Sequence, residues 1–194
     1  MESAETAVAA GADFLGFNFV LSSKRYINPL KAKAIIEKMR KKTEIAGIFQ
    51  NAHHDEINEL IKFLPLEYVQ LHGNEDEQFI KKIKTKVIKA FSIPEEKTHE
   101  EILTQIKQYP VAYFLLDRMQ QGQGDMLDIT KAQVIAQNLP VFLAGGLHPD
   151  NVADIITQAK PFGVDVASGI ETDGMEDLGK IQQFVKNAKG AEII

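Results

Sequence analysis

Pro140-Val141-Phe142-Leu143-Ala144-Gly145-Gly146-Leu147, then a helical stretch, then Gly163-Val164-Asp165-Val166-Ala167-Ser168-Gly169-Ile170-Glu171: these residues decide the fold. Each half is a short apolar run that ends in Gly-Gly or Ser-Gly, the pattern of a buried strand closed by a turn. Between them, Pro149-Asp150-Asn151 is read as a helix start, with proline in the first turn. Val152, Ile155, Ile156 and Ala159 then recur at helical spacing. Strand, turn, helix, strand, turn is the result. The glycines fall where strands end and bare backbone N–H groups can face a ligand, and such places favour a phosphate.

Outward from that stretch the same unit repeats. Strands are expected from residues 14, 45, 68, 86, 111, 141 and 163, with helical patterns between them. Helices are expected over 2–10, closed by Gly11, from Asn28-Pro29 with Ala34, Ile35 and Met39 on one side, and from His54 with Ile57, Leu60, Ile61 and Leu64. Others are expected after an Asn74 cap, over 102–108, over 130–137 and over 177–188, and residues 118–125 read as a polar loop. Regular alternation of this kind requires parallel strands with crossover helices. The count is seven strands and eight helical stretches, helix first. An intact (β/α)8 barrel has eight strands, strand first, and often seats a phosphate between the loops after its seventh and eighth strands. The expected fold is therefore an α/β TIM barrel lacking its first strand, as one domain over 1–194.

Composition narrows the function classes. Hydrophobic residues make up 44% and charged residues 25% of the 194, and the net charge is −5. Nothing here forms a basic face for nucleic acid. No apolar run is long enough to span a membrane, and the N-terminus lacks a signal-peptide pattern. There is no cysteine, so disulfides and thiolate metal sites are excluded and a cytoplasmic location is expected. His53 and His54 read as surface residues, because neighbouring helical positions point apart and do not converge on a metal. His72 reads as a packing or hydrogen-bonding residue, and the Lys38–Lys42 run as a solvated helix end.

The chain resembles the phosphoribosylanthranilate isomerases of tryptophan biosynthesis. The marks run in order: Gly11-Ala12-Asp13-Phe14-Leu15-Gly16-Phe17, Ser23-Lys24-Arg25-Tyr26, Val69-Gln70-Leu71-His72-Gly73 and Leu115-Leu116-Asp117. They continue with Leu143-Ala144-Gly145-Gly146-Leu147, Asn151-Val152 and Val164-Asp165-Val166-Ala167-Ser168-Gly169-Ile170-Glu171. The resemblance implies an Amadori rearrangement of a small phosphorylated substrate, with no cofactor and no metal. It makes Asp117 the general acid, Arg25 the grip on the anthranilate carboxylate, and Gly145, Gly146, Ser168 and Gly169 the phosphate site. To act as an acid near neutral pH, Asp117 would need a raised pKa. Arg25 suits a carboxylate because the guanidinium fork donates two parallel hydrogen bonds.

Two departures stand out. The family's general base is a cysteine in a Cys-Gly pair ending a first strand, and this chain has no cysteine. Met1 falls where the family places a Met, Ile or Leu after that pair, so the expectation is a longer reading frame supplying one more strand of about 5–8 residues. As written, the chain would then be impaired, with open edges at the strands from residues 14 and 163; partial opening, local disorder or closure by a second copy is expected there, a homodimer being the simplest repair. The second departure is Gln121-Gly122-Gln123-Gly124, where the family usually has Gly-Gly-Ser/Thr-Gly. A barrel remnant that binds phosphorylated ligands without catalysis is the competing reading. Another phosphosugar barrel, such as indole-glycerol-phosphate synthase or an epimerase, is a third.

Overall fold

A computed structural model describes residues 1–92, 96–117 and 129–191. The Gln121–Gly124 departure lies outside the described residues. The chain folds as two compact units, one of Met1–Ala90 with Tyr109–Ala112, the other of Phe91–Gln108 with Tyr113–Ile194.

The first unit opens with α1 (Glu2–Ala10), which stops at Gly11 in the left-handed region, φ 101°. β1 (Phe14–Asn18), β2 (Glu44–Phe49), β3 (Tyr68–Leu71) and β4 (Lys86–Ser92, of which residues 86–90 belong to this unit) pair in that order, all parallel. α2 (Pro29–Met39), α3 (His54–Phe63) and α4 (Glu77–Ile80) connect them. All four β3 residues are buried, as expected of a strand covered on both faces. α2 buries Ala32, Ile36 and Met39, while Ala34 is exposed. The stripe is shifted from the expected one because 32, 36 and 39 follow i, i+4, i+7 on one face. α4 is capped by Asp76, whose Oδ1 accepts the Phe79 N–H at 2.7 Å. The expected cap, Asn74, instead donates its N–H to Asn51 Oδ1 at 2.8 Å. Phe17, Ile36, Ile45, Phe49, Ile57, Leu64 and Val69 belong to one continuous core.

The second unit contains α5 (His99–Ile106), β5 (Tyr113–Asp117), α6 (Ile129–Asn138), β6 (Val141–Leu143), α7 (Val152–Ala159), β7 (Gly163–Val164) and α8 (Leu178–Gly190). β5, β6 and β7 are parallel neighbours. α7 begins at Val152, so Pro149 lies in the turn before the helix and not in its first turn. Val152, Ile156 and Phe184 pack around Leu147. The antiparallel hairpin β8 (Glu171–Thr172) and β9 (Met175–Glu176) was not expected. Its turn, Asp173-Gly174, has φ of 53° and 77°, and Asp-Gly is a strong two-residue hairpin signal. Among the described residues, β1 pairs only with β2 and β7 only with β6.

Candidate active site

Parallel strands send all their C-terminal ends to one edge. In the second unit that edge carries Asp117, the last residue of β5 and half-buried. Next to it β6 runs out through Ala144, whose N–H donates to Leu116 O at 2.9 Å. Gly145 and Gly146 follow with φ of 82° and 74°, a left-handed pair that side chains rarely tolerate. Asn151 braces this turn at two points. Its Oδ1 accepts the His148 N–H at 2.8 Å and its Nδ2 donates to Gly146 O at 3.0 Å. β7 leads to a single 3₁₀ turn, Ser168–Ile170. A Cβ built on Gly169 would lie 1.8 Å from Leu147 O and 3.0 Å from His148 Cα. The two glycine turns therefore abut, with Gly146, Ser168 and Gly169 exposed.

In the first unit, the segment after β1 folds back on itself. The Ile27 N–H donates to Asn18 O at 2.9 Å, and Ser23 Oγ accepts the Arg25 N–H at 3.1 Å. Arg25 is thereby held beside the end of β1, half-buried, with Nη2 shielded from solvent. At the end of β3, Gln70 Nε2 lies 2.8 Å from His72 Nε2. Gly73 is tightly enclosed: a Cβ there would lie 2.1 Å from Asn51 Oδ1 and 2.6 Å from Glu75 Oε1.

Two charged residues in this unit escaped the sequence reading. Glu75 and Lys89 form an ion pair at 3.1 Å with side chains only 2% and 3% exposed. Burial pushes the Lys89 ammonium below the ordinary lysine range, and Glu75 pulls it partly back. The signal was present: Lys89 interrupts the apolar run of β4, and a lysine there must find a partner.

His53 and His54 correct an expectation. His53 is the N-cap of α3 with extended backbone, not a helical residue. Its ring therefore comes to 4.3 Å from that of His54, and both imidazoles and Asp55 converge within 4.8 Å. Lys82 Nζ, 3.4 Å from His54 Nε2, and the positive end of α3 both oppose a cation there.

Parallel β/α units that carry a carboxylate and two abutting glycine turns at strand C-termini belong to the (β/α)-barrel class. The family model for N-(5'-phosphoribosyl)anthranilate isomerase matches residues 1–187. The chain belongs to that family. It is 38% identical to the N-(5'-phosphoribosyl)anthranilate isomerase of Geotalea uraniireducens over 98% of this chain and 94% of the relative. It is 35% identical, with a TM-score of 0.84, to mutually generated monomers of the dimeric enzyme of Thermotoga maritima, covering 97% of this chain and 93% of that one. A family structure in complex with reduced 1-(o-carboxyphenylamino)-1-deoxyribulose 5-phosphate gives 33% and 0.85 over the same shares. No helix among the described residues is long and apolar enough to cross a membrane.

Proposed function

We propose that this chain binds N-(5-phosphoribosyl)anthranilate and supports its isomerisation to 1-(2-carboxyphenylamino)-1-deoxyribulose 5-phosphate, in the cytoplasm. Asp117 donates a proton to the ribose ring oxygen, the C1′–O bond breaks, and loss of the C2′ proton gives an enolamine. The enolamine then tautomerises to the ketose by gaining a proton at C1′ and losing one from the C2′ hydroxyl. Arg25 holds the anthranilate carboxylate, and the turns at Gly145-Gly146 and Ser168-Gly169 hold the phosphate. The observation that carries this reading is the abutment of Gly169 on Leu147, which brings two N–H-rich turns of a family member side by side.

The proton at C2′ needs a base, and the family's base is a cysteine, which these 194 residues lack. We read the chain as it stands as weakly active, its binding groups intact and its base missing. The same lack favours the second reading, a barrel that binds phosphorylated ligands without turnover. Following the loss of anthranilate fluorescence separates them. The chain alone, and the chain preceded by a Cys-bearing strand, would each be given phosphoribosylanthranilate. Turnover by the extended form, lost about 10²–10⁴-fold in Asp117→Asn, supports the isomerase with its base restored. Full turnover by the chain alone removes the base argument, and binding without turnover in both forms selects the non-catalytic barrel.

Among the described residues β1 pairs only with β2 and β7 only with β6, and such edges suit a homodimer, the state named for the Thermotoga maritima enzyme. Light scattering at micromolar concentration tests it, and a monomer would end that reading.

A further inference from the structure

Lys89 Nζ lies within hydrogen-bond distance of four oxygens: Gly73 O at 2.7 Å, Glu75 Oε2 at 3.1 Å, and Leu71 O and Ala90 O at 3.2 Å. Glu75 reaches further. Its Oε2 accepts the Gly73 N–H at 2.9 Å and its Oε1 the Asn51 N–H at 2.8 Å. Asn51, in the left-handed region with φ 52°, accepts the Asn74 N–H through Oδ1. One ion pair thus joins the chain after β2, the turn after β3, and β4 itself.

Stability alone does not explain such a pair. Desolvating two charges can cost as much as their attraction returns, and apolar residues of similar volume often do as well. An apolar pair cannot donate to or accept from chosen backbone atoms, whereas this ion pair does both, from Lys89 to the carbonyls of Leu71, Gly73 and Ala90 and to Glu75 from the Gly73 and Asn51 N–H groups. The backbone the pair fixes here is His72-Gly73, at the strand edge where barrels of this class bind substrate. Arg25 belongs to the same unit, and the phosphate turns belong to the other.

We propose that Glu75 and Lys89 are a positioning pair that sets the His72-Gly73 turn for the aromatic-carboxylate end of the substrate, with no part in holding the phosphate. The proposal rests on the ligand assignment made above for this family member.

The test compares the parent chain with Lys89→Met, Glu75→Gln and the double variant Lys89→Met/Glu75→Met, at a temperature where circular dichroism shows each to be folded. The probes are reduced 1-(o-carboxyphenylamino)-1-deoxyribulose 5-phosphate and inorganic phosphate, titrated calorimetrically. Both single variants are expected to melt lower and to bind the analogue at least about tenfold more weakly, with phosphate affinity unchanged. The double variant, rid of the unpaired buried charge but leaving the Gly73 and Asn51 N–H groups without their acceptor, is expected to regain part of the melting temperature but not analogue affinity. Recovery of both would overturn the proposal, as would folded single variants that bind the analogue like the parent, or an equal loss for phosphate. If the parent binds neither probe, the ligand assignment has failed. The pair is then judged on the His72 ring signals by NMR: displacement in the double variant supports it, and unmoved signals overturn it.

Discussion

Gly169 rests against the carbonyl of Leu147 so closely that a Cβ at 169 would sit 1.8 Å from that oxygen. The obstacle is backbone, which cannot swing aside as a side-chain tip can. The residues after β6 and after β7 can approach this closely only while 169 has no side chain.

Gly169→Ala is therefore expected to part the two turns. The strain should destabilise the second unit by about 1–3 kcal/mol, and affinity for inorganic phosphate should fall in proportion. Thermal melts with phosphate titrations check this. An alanine variant with unaltered phosphate affinity would remove the two turns from the binding site.

Arg25 gives a prediction at the other end of the ligand. A charge-assisted hydrogen bond contributes about 1.5–3 kcal/mol, so Arg25→Met should weaken the reduced carboxyphenylamino analogue by roughly 10–100-fold. Arg25→Lys keeps the charge but loses the planar fork and should fall between Met and the parent. Inorganic phosphate should bind all three alike.

Asp177 caps α8, accepting the N–H groups of Gly179 at 2.9 Å and Lys180 at 3.1 Å, and the Thr172 hydroxyl at 2.9 Å. These bonds, the Lys180 N–H foremost, hold its carboxyl below the usual aspartate range. A depressed folded pKa means the stabilisation is present in full above the unfolded value, about 3.9, and is lost as pH falls through the folded one. Asp177→Ala should melt lower than the parent at pH 7, and the gap should close as pH drops below about 4. A gap constant with pH would show that the carboxylate charge is not what caps the helix.

Much of the fold was legible because parallel strands buried on both faces leave continuous apolar runs. Tyr68-Val69-Gln70-Leu71 and Val141-Phe142-Leu143 begin where the sequence places them. Local stops were legible too, since Gly11 and Asn28-Pro29 act within a few residues of themselves. Contacts between distant segments were less so. Glu75 reads as one more surface carboxylate until its partner 14 positions on is folded against it. Asn151 reads as a helix opener, although its side chain turns back to brace Gly146 and His148. His53 misled because sequence spacing cannot tell an N-cap in extended backbone from the first turn of a helix. The glycine turns read as a phosphate site from their places at two strand ends, but the roles of Asp117 and Arg25 came from resemblance to a family; spacing alone showed only that they end a strand or follow one.

The burial of Lys89 also makes it a natural reporter. Amine-reactive reagents label exposed lysines such as Lys31, Lys81 and Lys186 or their neighbours in the folded chain, but cannot reach an ammonium enclosed by four oxygens. Acylation at residue 89, read by peptide mass, would then count the moments when the first unit opens, with no probe attached to the protein.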